Sequence, residues 1–431
     1  MYLFGSLRRW AFWLFDTVKG RPVAQHYKAV KAQLESPDQA VLERNLTALL
    51  EHAVASVPFY KGYSPNVEQF PVLDKNVIKS QFDGFYSSQF AKEQLIKVIT
   101  SGSTGTPFQV FHDKNKKNRN YADTLYFSEL SGYSMGNILV YMKIWAKQRM
   151  AQPWVYRLQN TLPIDVLQLS EEKLAQLTDL VENKPGQYSI LGYVSALEEW
   201  CRYLDRVGKG KINANVRSII TISEALNSYT SSAMERIFGV PVYSRYSNLE
   251  NGIIAQQVPG SGRAFLVNTA SYYLEILELE RNIPVKPGEK GRIVVTDLFN
   301  YAFPMIRYDT GDIGSLEQNE AGHWYLTSVE GRKLDQLFDT SGKLVSSYIM
   351  YRNMWQYTNI RQYQIIQEAK GRYCMKISVS GTFDRETQLK SEFLEYLGAD
   401  ADFRMEYVDE IPLLNSGKRR KVVNLMLQNP Q

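Results

Sequence analysis

The sequence predicts a large α/β N-terminal domain with mixed sheets and a β-rich portion, followed by a small C-terminal α+β domain. Three observations predict it. Between about 120 and 240 helical and strand patterns alternate, as they do when helices are layered on a sheet. From about 262 the pattern changes to short strands separated by turn signals. After Gly331 a last segment holds strands near 344, 362 and 374, one helix and a basic tail. A chain of 431 residues exceeds one ordinary core, and we place the domains at 1–333 and 334–431.

Each element has its own signal. Val41, Leu42, Leu46, Leu49, Leu50, Ala53 and Val54 recur at helical spacing, and Pro58 stops that helix because proline blocks its continuation. Lys97–Ile99 reads as a short strand entering a Gly/Ser/Thr-rich loop at 100–107. Ile138–Tyr141 and Val216–Ile222 read as buried strands, and Leu197–Tyr203 and Ser231–Phe238 as helices. Phe265–Val267, Tyr272–Leu277, Arg292–Thr296 and Gly322–Leu326 read as antiparallel β, with a turn at Pro287-Gly288. The last helix is expected from about Glu386 to Leu397. No internal repeat or low-complexity tract interrupts this order.

Composition excludes several function classes. Hydrophobic residues are 44% and charged residues 22%, an ordinary soluble balance. A net charge of +5, from 50 basic and 45 acidic side chains, is too thinly spread to expect a nucleic-acid partner. Cys201 and Cys374 lie far apart, so neither a disulfide framework nor a thiolate zinc site is implied, and the cytoplasm is the expected location. His26, His52, His112 and His323 form no close pair, which argues against metal-hydrolase chemistry. Trp10–Phe15 is an apolar run behind Arg8 and Arg9, far short of the roughly 20 residues that span a bilayer. Asp16, Lys19 and Arg21 follow where a signal peptide would have its cleavage site. Residues 2–15 therefore read as an amphipathic helix, either packed on the protein or lying peripherally at the inner face of a membrane.

Five short motifs carry chemistry. Thr100-Ser101-Gly102-Ser103-Thr104-Gly105-Thr106-Pro107 follows a strand, and its glycines and hydroxyls suit a phosphate cradle without the ending of a Walker loop. Tyr246-Ser-Asn-Leu-Glu250 offers a ring for a base and, four residues on, a carboxylate for magnesium. Arg307-Tyr-Asp-Thr-Gly-Asp312 reads as two carboxylates and a guanidinium around a tight turn, where a carboxylate accepts both hydroxyls of a ribose. Gly331-Arg332-Lys-Leu-Asp335 lies at the expected domain boundary, and Asn415-Ser-Gly-Lys418-Arg-Arg-Lys places cations near the C-terminus. Each alone also fits a bland loop, core tyrosine, acidic turn, linker or tail.

Taken in order, the five resemble the signatures of the adenylate-forming superfamily of acyl-CoA ligases, luciferases and peptide-synthetase adenylation domains. Within it the chain looks most like the phenylacetate–CoA ligase branch and its relatives in capsule and lipopolysaccharide gene clusters. His52-Ala-Val-Ala-Ser-Val-Pro-Phe-Tyr60, Leu191-Gly-Tyr-Val-Ser195 and Ile222-Ser223-Glu224 carry that likeness. The resemblance implies that Ser101, Ser103, Thr104 and Gly105 hold the ATP phosphates, and that Ser223 and Glu224 lie on the adenine side. It implies that Tyr246 stacks on adenine, Glu250 holds Mg2+, Asp312 takes the ribose hydroxyls and Arg332 contacts the ribose or phosphates. Lys418 would reach from a mobile small domain to the reacting carboxylate and α-phosphate, so Lys418, Glu250 and Arg332 form the expected catalytic set. The implied substrates are ATP and a small carboxylic acid, and the implied acceptor is coenzyme A or an amine or hydroxyl of a sugar or glycan.

The chain also departs from the pattern. Phe108 stands where many members have lysine, Ser247 and Leu249 replace a glycine and a hydroxyl residue, and Leu334 replaces the hinge aspartate. These departures keep a second reading open, a catalytically degenerate nucleotide-binding or scaffold protein of a membrane-associated polysaccharide pathway.

Overall fold

The computed structural model describes residues 5–100, 108–145, 152–166, 169–332, 337–342, 344–345, 354, 357, 359–412 and 421–426. They form two compact units, a larger one within residues 1–310 and 314–328 and a smaller one made mainly of 329–431, to which Gly311–Ile313 also belong.

The larger unit opens with α1 (Gly5–Val18), α2 (Pro22–Glu35) and α3 (Gln39–Ser56). The Asp38 carboxylate caps α3 by accepting from Ala40 N, and Val57-Pro58 ends it as the sequence predicts. Leu42, Leu46, Leu49, Leu50 and Ala53 form its buried stripe. Next come α4 (Lys75–Ser80), the antiparallel pair β1 (Ile96–Thr100) and β2 (Phe108–His112), and α5 (Lys114–Leu130).

An alternating stretch follows: β3 (Ile138–Lys143), α6 (Pro153–Leu158), β4 (Thr161–Asp165), α7 (Glu171–Asn183), β5 (Tyr188–Tyr193), α8 (Val194–Arg206), β6 (Val216–Ile222), α9 (Ser228–Phe238) and β7 (Val242–Asn248). The five strands pair in parallel in the order β4-β3-β5-β6-β7. Parallel neighbours need crossovers, which explains the helix between each strand and the next. Val140, Ile190 and Ile219 sit on adjacent strands and pack with Leu197, Trp200 and Met234 from the crossover helices. Trp200 is fully buried, and its indole N–H donates to Thr178 Oγ1 at 3.0 Å. From β3 the chain moves outward to β4, then crosses back to β5 and onward to β7. The direction reverses beside β3 and β5, where the carboxyl ends of such a sheet leave a crevice.

The sheet then continues in an antiparallel, β-rich half built from β8 (Gly252–Gln256), β9 (Phe265–Val267), β10 (Tyr272–Leu277), β11 (Gly291–Asp297), β12 (Tyr308–Gln318) and β13 (Trp324–Arg332). Beyond β7 the order is β8-β9-β13-β12-β11-β10, which makes eleven strands in all among the described residues. One local expectation is corrected here. The stretch expected as a tight turn is the entry of β12, a strand of 11 residues. The bend lies just before it, at Arg307, whose φ of 53° is held by a bidentate ion pair with Glu275 at 3.0 and 2.8 Å. Gly311, with φ 79°, interrupts the inward–outward alternation between Thr310 and Asp312.

The smaller unit has a short pair, β14 (Leu337–Phe338) with β15 (Leu344–Val345), and a four-stranded sheet. The sheet contains β16 (Ile360–Ala369), β17 (Arg372–Val379), β18 (Asp402–Tyr407) and β19 (Val422–Asn424) in the order β18-β17-β16-β19. β17 and β18 run parallel, joined by α10 (Glu386–Leu397), whose Leu389 and Phe393 pack with Tyr373, Met375 and Phe403. A large α/β part with mixed sheets followed by a small α+β sheet is the fold class the sequence predicts.

Candidate active site

The site is built first from the N-terminal part of the chain. Tyr60, in the Val57-Pro-Phe-Tyr60 signature, is fully buried; its hydroxyl donates to Pro304 O at 3.1 Å and accepts from Ile306 N at 3.2 Å. Leu73 pairs with the entry of β12: Leu73 N donates to Arg307 O at 2.9 Å, and Asp309 N donates to Leu73 O at 2.8 Å. Arg307 Nη1 also donates to Phe70 O at 3.0 Å. The segment from 57 to 73 is thereby clamped against residues 304–309. Asp74 then caps α4 by accepting from Asn76 N and Val77 N, both at 2.8 Å. The clamp and the cap fix where Lys75 begins.

Lys75 reaches the loop after β7. Its Nζ lies 3.1 Å from Glu250 Oε1 and 5.2 Å from the centre of the Phe108 ring. Tyr308, the first residue of β12, donates its hydroxyl to the same Glu250 Oε1 at 2.8 Å, and its ring stacks on Phe108 at 6° between planes. Glu250 is only 4% exposed, so its charge is opposed in a place where water screens little. The peptide around it is fixed as well. His112 Nε2 donates to Glu250 O at 2.8 Å, and Asn251 N donates to Asn248 Oδ1 at 2.8 Å. The Asn248 amide thus closes its own turn. Gly252 has φ 118°, and a Cβ there would crowd Asn120 Oδ1 and Tyr272 Oη, so only glycine fits.

Behind the loop lies a fully buried ion pair, Lys116 Nζ to Asp297 Oδ2 at 2.7 Å. Lys116 also donates to Tyr272 Oη at 3.0 Å, and the Tyr272 hydroxyl donates to Asn251 O at 2.6 Å. Burial, and then the nearby Lys116 charge, lower the pKa of His112 from its ordinary 6.5.

Tyr246 stands on β7, half-buried, and its hydroxyl donates to Thr310 Oγ1 of β12 at 3.2 Å. Thr310 Oγ1 in turn donates to Ile293 O at 3.0 Å. β12 therefore holds both ends of the Tyr246–Glu250 motif, through Thr310 and Tyr308. On the neighbouring strand, Ser223 follows β6 with φ 69°, an uncommon conformation for a residue with a side chain. Glu224 accepts from Ser195 N at 2.7 Å and from Ser195 Oγ at 3.1 Å, placing a carboxylate on the first turn of α8. Tyr193, bonded to Ser223, has its hydroxyl pushed up to about 12, chiefly by burial and then by Tyr141 and Glu224. At the end of β3, Lys143 Nζ lies 4.6 Å from the Tyr141 ring centre and 4.3 Å from that of Trp145, and burial lowers its pKa.

The structure brings Tyr246, Glu250, Ser223 and Glu224 to the carboxyl ends of two adjacent parallel strands. Asp312 follows two residues after Thr310 on β12. Arg332 ends β13 as backbone. Ser101, Ser103, Thr104, Gly105 and Lys418 lie outside the described residues. Sequence reasoning missed Lys75, and its one signal was the cation lacking at Phe108.

The donor set decides what a metal can be here. Among the described residues no group of three or more His, Cys, Asp or Glu side chains could hold an ion. One carboxylate such as Glu250 fits Mg2+ that brings phosphate and water as its other ligands. An ion bound on Oε1 would compete with Lys75.

Comparisons with known proteins agree with this architecture. Residues 337–425 match the family described as the CapK C-terminal domain. Protein CapK of Staphylococcus aureus is 24% identical over 375 residues, covering 83% of this chain and 80% of that protein. Among solved structures, 2-hydroxyisobutyryl-CoA ligase in the postadenylation state with 2-HIB-AMP superposes with a TM-score of 0.71 at 16% identity, covering 91% of both chains. The amide bond synthetase McbA from Marinactinospora thermotolerans superposes with a TM-score of 0.53 at 17% identity, covering 77% of this chain and 68% of that one. The chain has the fold of adenylate-forming ligases and is similar to CapK.

Proposed function

We propose that this chain activates a small carboxylic acid with ATP, forming an acyl-adenylate and pyrophosphate, and then transfers the acyl group to an acceptor. The observation that carries the reading is the Tyr246–Glu250 motif at the end of β7, a ring and a buried carboxylate held by β12 beside the Lys75 cation. In the first step a carboxylate oxygen attacks the α-phosphorus, and the bond to the β-phosphate oxygen breaks with its electron pair on pyrophosphate. No proton moves. The barrier is repulsion between anions, so placed cations matter more than a base. Glu250 would hold a nucleotide-borne Mg2+, which neutralises phosphate charge when bound.

The chain's own residues do the rest in this reading. Tyr246 and the Ser223–Glu224 side orient the adenine, and Asp312 takes the ribose hydroxyls. Arg332 and Lys418 approach the ribose and the reacting phosphate, and residues 101–105 cradle the polyphosphate. Lys75 is displaced from Glu250 toward the phosphates and replaces the cation that Phe108 lacks. In the second step a thiol, amine or hydroxyl attacks the acyl carbon, loses its proton, and AMP leaves. The 2-hydroxyisobutyryl-CoA ligase likeness supports coenzyme A as acceptor, and the amide bond synthetase likeness supports an amine. The sequence motifs resemble those of the phenylacetate–CoA ligase branch, and its relatives in capsule and lipopolysaccharide gene clusters support a sugar or glycan acceptor.

Acid-dependent exchange of pyrophosphate into ATP, measured over a panel of carboxylic acids, tests the proposal. Exchange with at least one acid is expected. Nucleotide binding without exchange for any acid would instead support the degenerate reading, which the departures at Phe108 and Leu249 favour. Lys418→Ala should cut exchange by about a hundredfold or more, if its cation contributes about 3 kcal/mol in the transition state. The same variant given preformed acyl-adenylate and acceptor should transfer at near wild-type rate.

A further inference from the structure

Helix α1 has two unlike faces. The inner face is seated on the larger unit. Gly5 touches Gly136 so closely that a Cβ on either would collide with the other's backbone. Arg8 Nη1 donates to Met135 O at 2.5 Å, and Trp13 meets Tyr27 edge-on at 6.0 Å. The Asp16 carboxylate, 5% exposed, accepts from Val23 N and Ala24 N at 3.0 Å each and so caps α2.

The outer face is apolar and exposed. Leu7, Trp10, Leu14, Phe15 and Val18 are between 47% and 78% exposed. Steps of three, four and four residues from Leu7 to Val18 keep them in one stripe along 14 residues of helix. The surrounding charge is mainly basic. From residue 5 to 35 the basic residues are Arg8, Arg9, Lys19, Arg21, Lys28 and Lys31, and the acids are Asp16, which is buried, and Glu35, which pairs with Lys31 at 3.7 Å. Lys19 Nζ lies 4.2 Å from the Phe15 ring centre, a cation carried at the edge of the apolar stripe.

We propose that this face is a docking surface for an anionic lipid bilayer, with α1 lying in the interface and its stripe turned toward the acyl chains. A lone apolar stripe would suit protein or lipid equally; the basic surround selects a partner of negative surface charge and opposes a second copy of itself. Among the described residues no helix is long and apolar enough to cross a membrane, so the contact is peripheral and reversible. In this proposal packing on the protein and contact with a membrane, the two readings the sequence leaves open, fall to opposite faces of α1.

Flotation of the full-length chain with phosphatidylcholine vesicles, with and without phosphatidylglycerol, tests the proposal. The wild type should float with the anionic vesicles, less so as salt rises, and remain with the solvent fraction over phosphatidylcholine alone. Trp10→Glu and Leu14→Glu should each lower anionic-vesicle binding tenfold or more while leaving the melting temperature unchanged. Trp10→Ala serves if the glutamate lowers it. Ile283→Glu, at a comparably exposed apolar side chain between β10 and β11, should bind as the wild type does. Failure of the wild type to bind anionic vesicles would overturn the proposal. So would full binding by the α1 variants, or loss of a dimer in those variants without any vesicle binding by the wild type.

Discussion

Glu224 and Glu250 each stand two residues beyond the end of a parallel strand, β6 and β7, yet their settings are opposite. Glu224 is partly exposed, and its oxygens accept from the backbone and hydroxyl of Ser195, which ties two loops together at the start of α8. Glu250 is buried, and its Oε1 meets one hydroxyl and one movable ammonium. A carboxylate on a helix N-terminus has fixed partners that a ligand would have to replace one by one. A buried carboxylate opposed by a flexible lysine keeps its negative charge ready for exchange between cations. The first arrangement sets geometry, and the second stores an electrostatic interaction that a nucleotide-borne ion can take over.

The difference can be tested in order of expected effect. Glu250→Gln should lower pyrophosphate exchange by about a hundredfold or more, on the scale of losing one electrostatic partner of the transition state. An exchange rate within a few-fold of wild type would place Glu250 on the structural side with Glu224. Lys75→Met leaves Glu250 buried without its cation and should cost about 2 kcal/mol of stability in denaturant titrations, less than a fully buried pair because Lys75 is 25% exposed. Magnesium and nucleotide should then raise the melting temperature of this variant more than that of the wild type. An equal rise in both would mean that the ion and Lys75 do not share the carboxylate.

Glu224→Gln should cost under about 1 kcal/mol, as expected for a screened charge near a helix N-terminus, and should lower exchange far less than Glu250→Gln. The smallest effect concerns pH. Folding holds His112 below its ordinary 6.5, so the unfolded chain takes up the proton first as pH falls. The unfolded state then binds more protons, and stability declines from about pH 6.5 downward. His26, held down to about 4 mainly by burial and then by Arg119, adds to the same slope. His112→Gln should flatten part of it in denaturant midpoints measured between roughly pH 7.5 and 5.5. An unchanged slope would mean that folding does not lower the His112 pKa.

Much of the fold was readable because local chemistry agreed with it. The Leu42–Ala53 stripe and Pro58 mark α3, and the β-branched residues of Val216–Ile222, with Ile219, Ile220 and Thr221 all buried, mark a strand covered on both faces. That Tyr246 and Glu250 stand close together was readable because only four positions separate them, across the end of β7. What escaped was set by distance along the chain. The order of the eleven strands depends on pairings that no local pattern encodes. Arg307 looked like part of an acidic turn, whereas its guanidinium is held by Glu275 and by Phe70, far upstream. Lys75 escaped for the same reason: its carboxylate lies 175 positions later, 250 minus 75. Phe12 and Trp10 belong to one hydrophobic run, and only the seating of α1 separates a packed side chain from an exposed one.

The bridge between Leu73 and Tyr308 has a consequence for how the protein is made. Its partners are 235 positions apart, 308 minus 73. At roughly 5–20 residues per second of synthesis, the segment around Leu73 waits on the order of ten to fifty seconds for its mate to leave the ribosome. During that interval Tyr60, Phe70 and Leu73 lack the backbone of residues 304–309 that later covers them. The N-terminal third of a nascent chain therefore carries a sticky, half-built surface. Slower elongation after β9 would lengthen its exposure, and a chaperone that holds apolar segments would find its substrate there.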